Sequence, residues 1–382
     1  MTAPRDPKPT VNFIDVYCAY YQDLFPEVRS FENFKALHLG MLSELKRKTL
    51  PEIAKVAGLD NSQSLHHFLT ESPWDVEDLR HRRLNRILQV LEGRSIIKMI
   101  EETGGPKAGT STDYVKRRYL GNLGKIDNGI VAVTAYGIIE EMTVPLTFEI
   151  YKPHERLKPG DRYKTKPQIA SEMIRELQKI GFKIELVLAD SLYGESNSSF
   201  IRVLDEFNLN YSVAIRSNHA VWMPLGKGVR SNKWRKFDRI FSNGRTELRY
   251  IREIVFGTRS TKCYWQIASD SLTLPEGSTW WAMTKIPGIK YKEIGNIFGL
   301  RTWIEYGLRQ SKNELGWADF RLTEYPHIQK WWKIVCSAYL LVSLYSEHLN
   351  QGQRIIQRVF SEHPWWNEKK GWKNLLNNWS LD

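Results

Sequence analysis

At 382 residues the chain exceeds one ordinary domain, and two or three are expected. With 42% apolar and 12% aromatic residues it can bury a substantial core, which argues against a disordered chain. Fifty-five Lys and Arg against 43 Asp and Glu leave a net charge of +12, which points first to a polyanionic partner, chiefly nucleic acid. The three cysteines (Cys18, Cys263, Cys336) are scattered and lack CxxC or His spacing. That pattern argues against disulfides and structural zinc and for a reducing cytoplasm. No apolar run reaches membrane-spanning length, and MTAPRDPKPT at the start has no apolar h-region, so neither a membrane span nor a secretory signal is expected.

In chain order, residues 11–92 read as all helical. FENFKALHLGMLSEL places Phe31, Phe34, Leu37, Leu42 and Leu45 at helical spacing. KTLPEIAKVAGLDNSQSLHHFLTESPW then gives two short helices around a turn at Gly58, which fits a DNA-binding helix-turn-helix or plain helical packing. LRHRRLNRIL (79–88) adds a basic strip on the next helix. From residue 95 the pattern changes to strands: SIIKMIE (95–101), NGIVAVTAYG (128–137) and TVPLTFEIY (143–151). An amphipathic helix (166–181) follows, then a strand (183–190), a helix (196–207) and a strand (210–217). Residues 218–293 set Trp222, Trp234, Trp265, Trp280 and Trp281 among basic residues and short alternating strands, which reads as a β-rich insertion. A helical stretch resumes near 294, a long apolar helix near 327–349 follows, and an aromatic-rich tail closes the chain. The predicted organisation is a helical DNA-binding domain (1–93), an α/β core in two parts (94–217 and 294–349), the insertion (218–293) and a C-terminal helical tail (350–382).

The order of three strands, helix, strand, helix, strand is the one an RNase H-like α/β domain requires. Such a domain carries one acid on its first strand, a second at the end of its fourth and a third on the helix after its fifth. Those places hold Glu101 (with Glu102 beside it), Asp190 and Glu305. Converging carboxylates hold two divalent ions about 3.5–4 Å apart, and hard oxygen ligands suit Mg²⁺ or Mn²⁺. A lone acid at the end of the buried run LVLA is costly without a partner, so Asp190 reads as a cation ligand. On the third-acid segment, Arg301, Glu305 and Lys312 step by four and seven and share one helix face, with Leu308 and Arg309 at the intervening turn. Cations there can grip the phosphates beside a scissile bond, or can serve as surface ion pairs.

At this point the chain resembles the DDE-type insertion-sequence transposases of the cut-and-paste branch, which carry the signature Tyr-x2-Arg-x3-Glu-x6-Lys. The likeness covers nearly the whole chain. MIEETGGPKAG (99–109) is similar to the first-acid motif D-[DE]-T-G…K-x-G, and DYVKRRYLGNLGKIDNGIVAV (113–133) to the segment after it. VLADSLYGES is similar to the second-acid motif, GLRTWIEYGLRQSKNELGWADF (299–320) to the third, and the helical start to that group's DNA-binding region. The resemblance implies dimers that bridge two element ends, bind terminal inverted repeats and target DNA, nick hydrolytically, form and open a hairpin, and join the ends to a target. It implies Arg301 and Lys312 at phosphates near the cut, with Arg309 beside them. Lys107, Arg117 and Arg118 are read equally as phosphate contacts or as structural residues. Trp265, Trp280 and Trp281 are candidates for stacking on a flipped base, or for filling the core of the insertion.

Two positions depart from the pattern. Phe298 stands where the signature has Tyr, at the cost of one hydroxyl. Glu101 stands where the family has Asp, and its extra methylene adds about 1.5 Å. Mg²⁺ ligand distances of roughly 2.0–2.1 Å leave little room for that, so slow or absent strand chemistry, with folding and DNA binding retained, is expected. The alternative expectation is a catalytically inactive, transposase-derived DNA-binding protein; a nuclease of another RNase H-like family fits the insertion and the third-acid face less well.

Overall fold

A computed structural model describes residues 5–360, apart from 121–123, 140–141, 222, 224, 241–245, 259, 301–307, 309–310 and 313. The chain starts with five helices: α1 (Asn12–Ala19), α2 (Val28–Leu42), α3 (Leu50–Val56), α4 (Gln63–Thr70) and α5 (Val76–Leu91). The Asp75 carboxylate caps α5 by accepting from the Glu77 and Asp78 amides at 2.6 and 3.0 Å. Aromatic residues join these helices: Phe25 lies within about 6 Å of the Phe31, Phe34, Phe68 and Trp74 rings.

Six strands and three helices follow: β1 (Ile96–Pro106), β2 (Lys116–Leu120), β3 (Lys125–Ile139), β4 (Met142–Ile150), α6 (Lys166–Ile180), β5 (Ile184–Ala189), the one-turn α7 (Ser191–Gly194), α8 (Arg202–Glu206) and β6 (Asn210–Ile215). β1 pairs antiparallel with β3 and parallel with β5, and β5 pairs parallel with β6. Both β2 and β4 lie along the far edge of β3. The helix α6 begins at a Thr165–Gln168 capping box and stops at Gly181, whose φ of 109° is cheap only for glycine. The order β4–β3–β1–β5–β6 is compatible with the RNase H-like arrangement expected of the chain.

Residues 218–293 contribute β7 (Val229–Ser231), β8 (Arg235–Ile240), β9 (Thr246–Phe256), β10 (Cys263–Ala268) and β11 (Thr279–Lys285). These strands do not form a separate body. β11 pairs antiparallel with β6, and β10, β9 and β7 extend the row into one mixed, 11-stranded sheet. The insertion keeps a small apolar cluster of its own around Phe237, Ile251, Trp265, Ile267 and Ile294. The helix α9 (Tyr291–Leu300) covers it.

The last described helix, α10 (Tyr325–Phe360), runs past the expected end of the apolar helix at 349. Its first half is buried on every side (Trp331, Trp332, Val335, Tyr339, Leu341), so it passes between the sheet and the N-terminal helices. One continuous core holds side chains from α1 to α5, both faces of the sheet and α10. Two further sequence expectations differ in detail. The first strand runs five residues past the expected end at 101, and β2 was not anticipated, because KRRYL carries no apolar alternation.

Candidate active site at the ends of β1 and β5

β1 and β5 are neighbours in the sheet interior, and their parallel register ends with Ile100 opposite Ala189. Glu101 and Asp190 each stand one residue past that last rung, so the sheet brings the two acidic residues to neighbouring strand ends. The runs Met99–Ile100 and Leu186–Ala189 are buried, and both acids are half-buried where the strands reach the surface. Asp190 also starts α7: its Oδ1 accepts from the Leu192 amide at 3.0 Å, which fixes the direction of the carboxylate.

Alternation along β1 separates Glu101 from Glu102. Met99 and Glu101 share the face of their cross-strand partners Tyr136 and Thr134. The Tyr136 hydroxyl meets Ser311 Oγ at 2.9 Å, so the segment carrying Ser311 and Lys312 covers this face. Glu102 turns to the opposite face, where Lys166 at the start of α6 pairs with it. Lys98 lies on that same face, fully buried, and its amine has no hydrogen-bond partner among the described residues; burial drives its pKa well below the usual lysine range. Beneath α7 the Tyr193 hydroxyl is buried and has no hydrogen-bond partner among the described residues. Its pKa is raised well above normal, first by burial and then by the negative fields of Asp190, Glu102 and Glu101. Negative charge therefore collects at these strand ends, and all-carboxylate donors suit a hard divalent cation. Among the described residues no group of three metal-ligating side chains comes together. Glu305, the expected third acid, lies outside the described residues, as do Arg301 and Arg309.

The remaining candidates fall into three groups. Lys312 reaches the acid strand: its Nζ donates to the Gly104 carbonyl at 2.9 Å, and burial lowers its pKa to about 8. Lys107 turns inward, donating to the Phe320 carbonyl at 2.9 Å with its Nζ over the Phe320 ring, and burial lowers it to about 8 as well. Arg118 stacks over Tyr151 at 5.3 Å, whereas Arg117, next to it on β2, is exposed. Of the tryptophans, Trp265 is buried in the insertion's cluster and its indole N–H donates to Thr284 Oγ1 at 3.0 Å. Trp280 and Trp281 are half-buried and face opposite sides of β11, Trp280 beneath the guanidinium of Arg249. Phe298 packs against the same cluster as Trp265. Sequence reasoning overlooked Lys166 and Tyr193. The residue beside Asp190 along α7 was visible in DSLYG, but the pairing of Lys166 with Glu102 depends on how α6 crosses the sheet.

A family described as DDE superfamily endonuclease matches residues 22–237, and a second, described as transposase DDE domain, matches residues 156–341. The chain is 58% identical over 363 residues to a probable transposase for insertion sequence element IS701 from Microchaete diplosiphon, covering 95% of this chain and 93% of that one. With the first family spanning more than half of the chain and that relative aligned almost end to end, the chain belongs to the DDE transposases of insertion sequences.

Proposed function

We propose that this transposase binds the terminal inverted repeats of its insertion sequence as a homodimer, cleaves the ends hydrolytically, passes through a hairpin and joins the ends to target DNA. Glu101, Asp190 and Glu305 would hold the divalent ions, Mg²⁺ or Mn²⁺ in its place. The observation that carries the reading is the pair of carboxylates set one residue beyond the last β1–β5 rung. When bound, the cations lower the pKa of an attacking water or hydroxyl and stabilise charge on the departing oxygen.

The chain's own residues supply the rest. α7 holds the Asp190 carboxylate in direction through the Leu192 amide. Lys312, anchored on Gly104 three residues along β1 from Glu101, brings positive charge to phosphates flanking the cut. Arg117 offers an exposed phosphate contact, with Arg301 and Arg309 proposed from the signature alone. Trp280 and Trp281 are the better stacking candidates, because the Trp265 indole is buried and hydrogen-bonded. Glu101 is the one feature that leans toward the catalytically inert alternative, and the near end-to-end likeness to a probable transposase supports the active reading.

The test compares wild type, Glu101→Asp and Asp190→Ala on duplexes carrying the chain's own terminal repeat, with Mg²⁺ and then Mn²⁺. Asp190→Ala should abolish cleavage in either background. Glu101→Asp should raise the rate about ten-fold or more, since roughly 1.4 kcal/mol of better placement is worth a factor of ten. Cleavage unchanged in both variants would sink the acid assignment.

A further inference from the structure

The β2–β3 ribbon carries a surface that neither the core nor the acid pair uses. Its rungs pair Lys116 with Gly129, Arg117 with Asn128, Arg118 with Asp127, Tyr119 with Ile126 and Leu120 with Lys125. Alternation sorts these side chains onto two faces. Leu120 is buried and Arg118 stacks on Tyr151, so that face turns inward. The other face presents Arg117, Tyr119 and Ile126. Tyr119 is 64% exposed and Ile126 60%, although they are direct cross-strand neighbours. Single exposed apolar residues need no explanation, but an aromatic and a β-branched side chain sharing one exposed rung make a small apolar platform.

The charge around the platform is mostly positive, with Asp127 and Glu155 as its nearby acids. Residues 116–126 hold Lys116, Arg117, Arg118 and Lys125 and no acid. Lys116 pairs with Glu155 at 2.8 Å and Lys125 with Asp127 at 3.0 Å, both across exposed contacts. Ion pairs of that kind are worth little in water and give way readily to phosphate. The ribbon is also tied to the active site, because β3 runs on from it to Thr134, the partner of Glu101. From Thr134 to Ile126 is eight residues, about 26 Å at about 3.3 Å per residue.

We propose that the ribbon is a further DNA contact of this transposase: Arg117 binds a backbone phosphate, and the Tyr119–Ile126 rung packs into the groove of the same duplex. A two-stranded ribbon fits the major groove of B-form DNA. The contact lies no more than about 8 base pairs from the cut, at about 3.4 Å per pair. Tyr119 and Ile126 supply desolvated contact area and Arg117 supplies register, a division of labour typical of groove readers. The inference rests on the reading of the chain as a protein that acts on element ends.

Hydroxyl-radical footprinting and equilibrium binding test it, using the full chain and a duplex with its terminal inverted repeat and flanking DNA. Arg117→Ala, Tyr119→Ala and Ile126→Ser should each lose the same short patch of protection within about 8 base pairs of the cut while the rest of the footprint persists. Affinity should fall about ten-fold for Tyr119→Ala and stay near wild type for Tyr119→Phe. Arg117→Ala should also flatten the slope of log affinity against log salt by about one. Because these side chains are exposed, all variants should melt with wild type. An unchanged patch in the three variants overturns the proposal. So does a fall in oligomer mass without DNA, which would make the ribbon a contact between two copies of the chain. Complete absence of a wild-type footprint overturns it together with the end-binding reading, a result distinct from loss of one patch.

Discussion

A lysine keeps its charge at alkaline pH only while water surrounds it, and Lys312 has given up much of that water. Burial lowers its pKa to about 8, and its Nζ is committed to the Gly104 carbonyl. In the free protein the positive charge is therefore lost as pH rises through about 8, far below the roughly 10.4 of an exposed lysine. Affinity for end DNA should fall above pH 8 in wild type, and Lys312→Arg should remove most of that fall, because a guanidinium stays protonated. Unfolding does not mimic the effect: between about 8 and 10.4 the unfolded chain binds more protons at this position, so the group's contribution to stability rises with pH in that window. Binding isotherms from pH 7 to 9.5 decide the matter. If the fall persists in Lys312→Arg, the titrating group is another one, with Lys107, also near 8, the first to examine. The position of Lys312 was legible in the spacing R-x3-E-x6-K, and its altered basicity was not. That depends on burial, which the spacing does not encode, and burial likewise lowers the basicity of Lys98.

Among the elements, α7 bears most directly on the site. It is a single turn, started by Asp190 and closed by Gly194, and it lies against β6. A Cβ at Gly194 would come within 2.0 Å of the Ala214 carbonyl oxygen. That oxygen belongs to backbone and cannot swing aside, so Gly194→Ala must push α7 away from the sheet. Overpacking of this kind costs roughly 1–3 kcal/mol. We predict a lowered melting temperature and a loss of cleavage much larger than the loss of DNA binding, because the displaced turn carries Asp190 with it. Wild-type cleavage in Gly194→Ala would show that the acid's placement does not depend on this turn. The sequence disclosed the strand and the acid, since the run LVLA ending in Asp reads as a buried strand that stops at a site. It suggested a Tyr-Gly turn after the acid, where the structure has a helical turn with Tyr193 beneath it. The need for glycine comes from β6, which no local pattern encodes. β2 stayed hidden for a related reason: its pairing with β3 makes it a strand, while its own residues are mostly charged.

Across the whole molecule, the helical start is tied to β4, α6 and α10 by contacts that span from 62 to 320 residues. The Tyr17 hydroxyl donates to the Ser337 carbonyl at 2.8 Å, and His38 Nε2 meets Ser337 Oγ at 2.9 Å. Arg83, 1% exposed, donates to the Pro145 and Leu146 carbonyls at the edge of β4. Lys330 donates to the Ser72 carbonyl at 2.6 Å, and Arg80 pairs with Glu176 on α6. The change from helix to strand near residue 94 was visible in the sequence, because hydrophobic periodicity switches there. Whether that change also marks an independent folding unit is a question of packing, which periodicity does not carry. Cutting the chain at 93/94 would strip the N-terminal helices from α10 and β4. Each large apolar side chain so exposed costs about 1.5–3 kcal/mol, and a few of them match the roughly 5–15 kcal/mol that stabilises a whole domain. The fragment 94–382 should therefore show no cooperative thermal transition and should bind a hydrophobic dye, whereas the full chain melts in a single step in which the strands of residues 218–293 take part. A fragment 94–382 that melted cooperatively with native-like near-ultraviolet dichroism would show that the α/β part folds alone and that the helical start is a separable module.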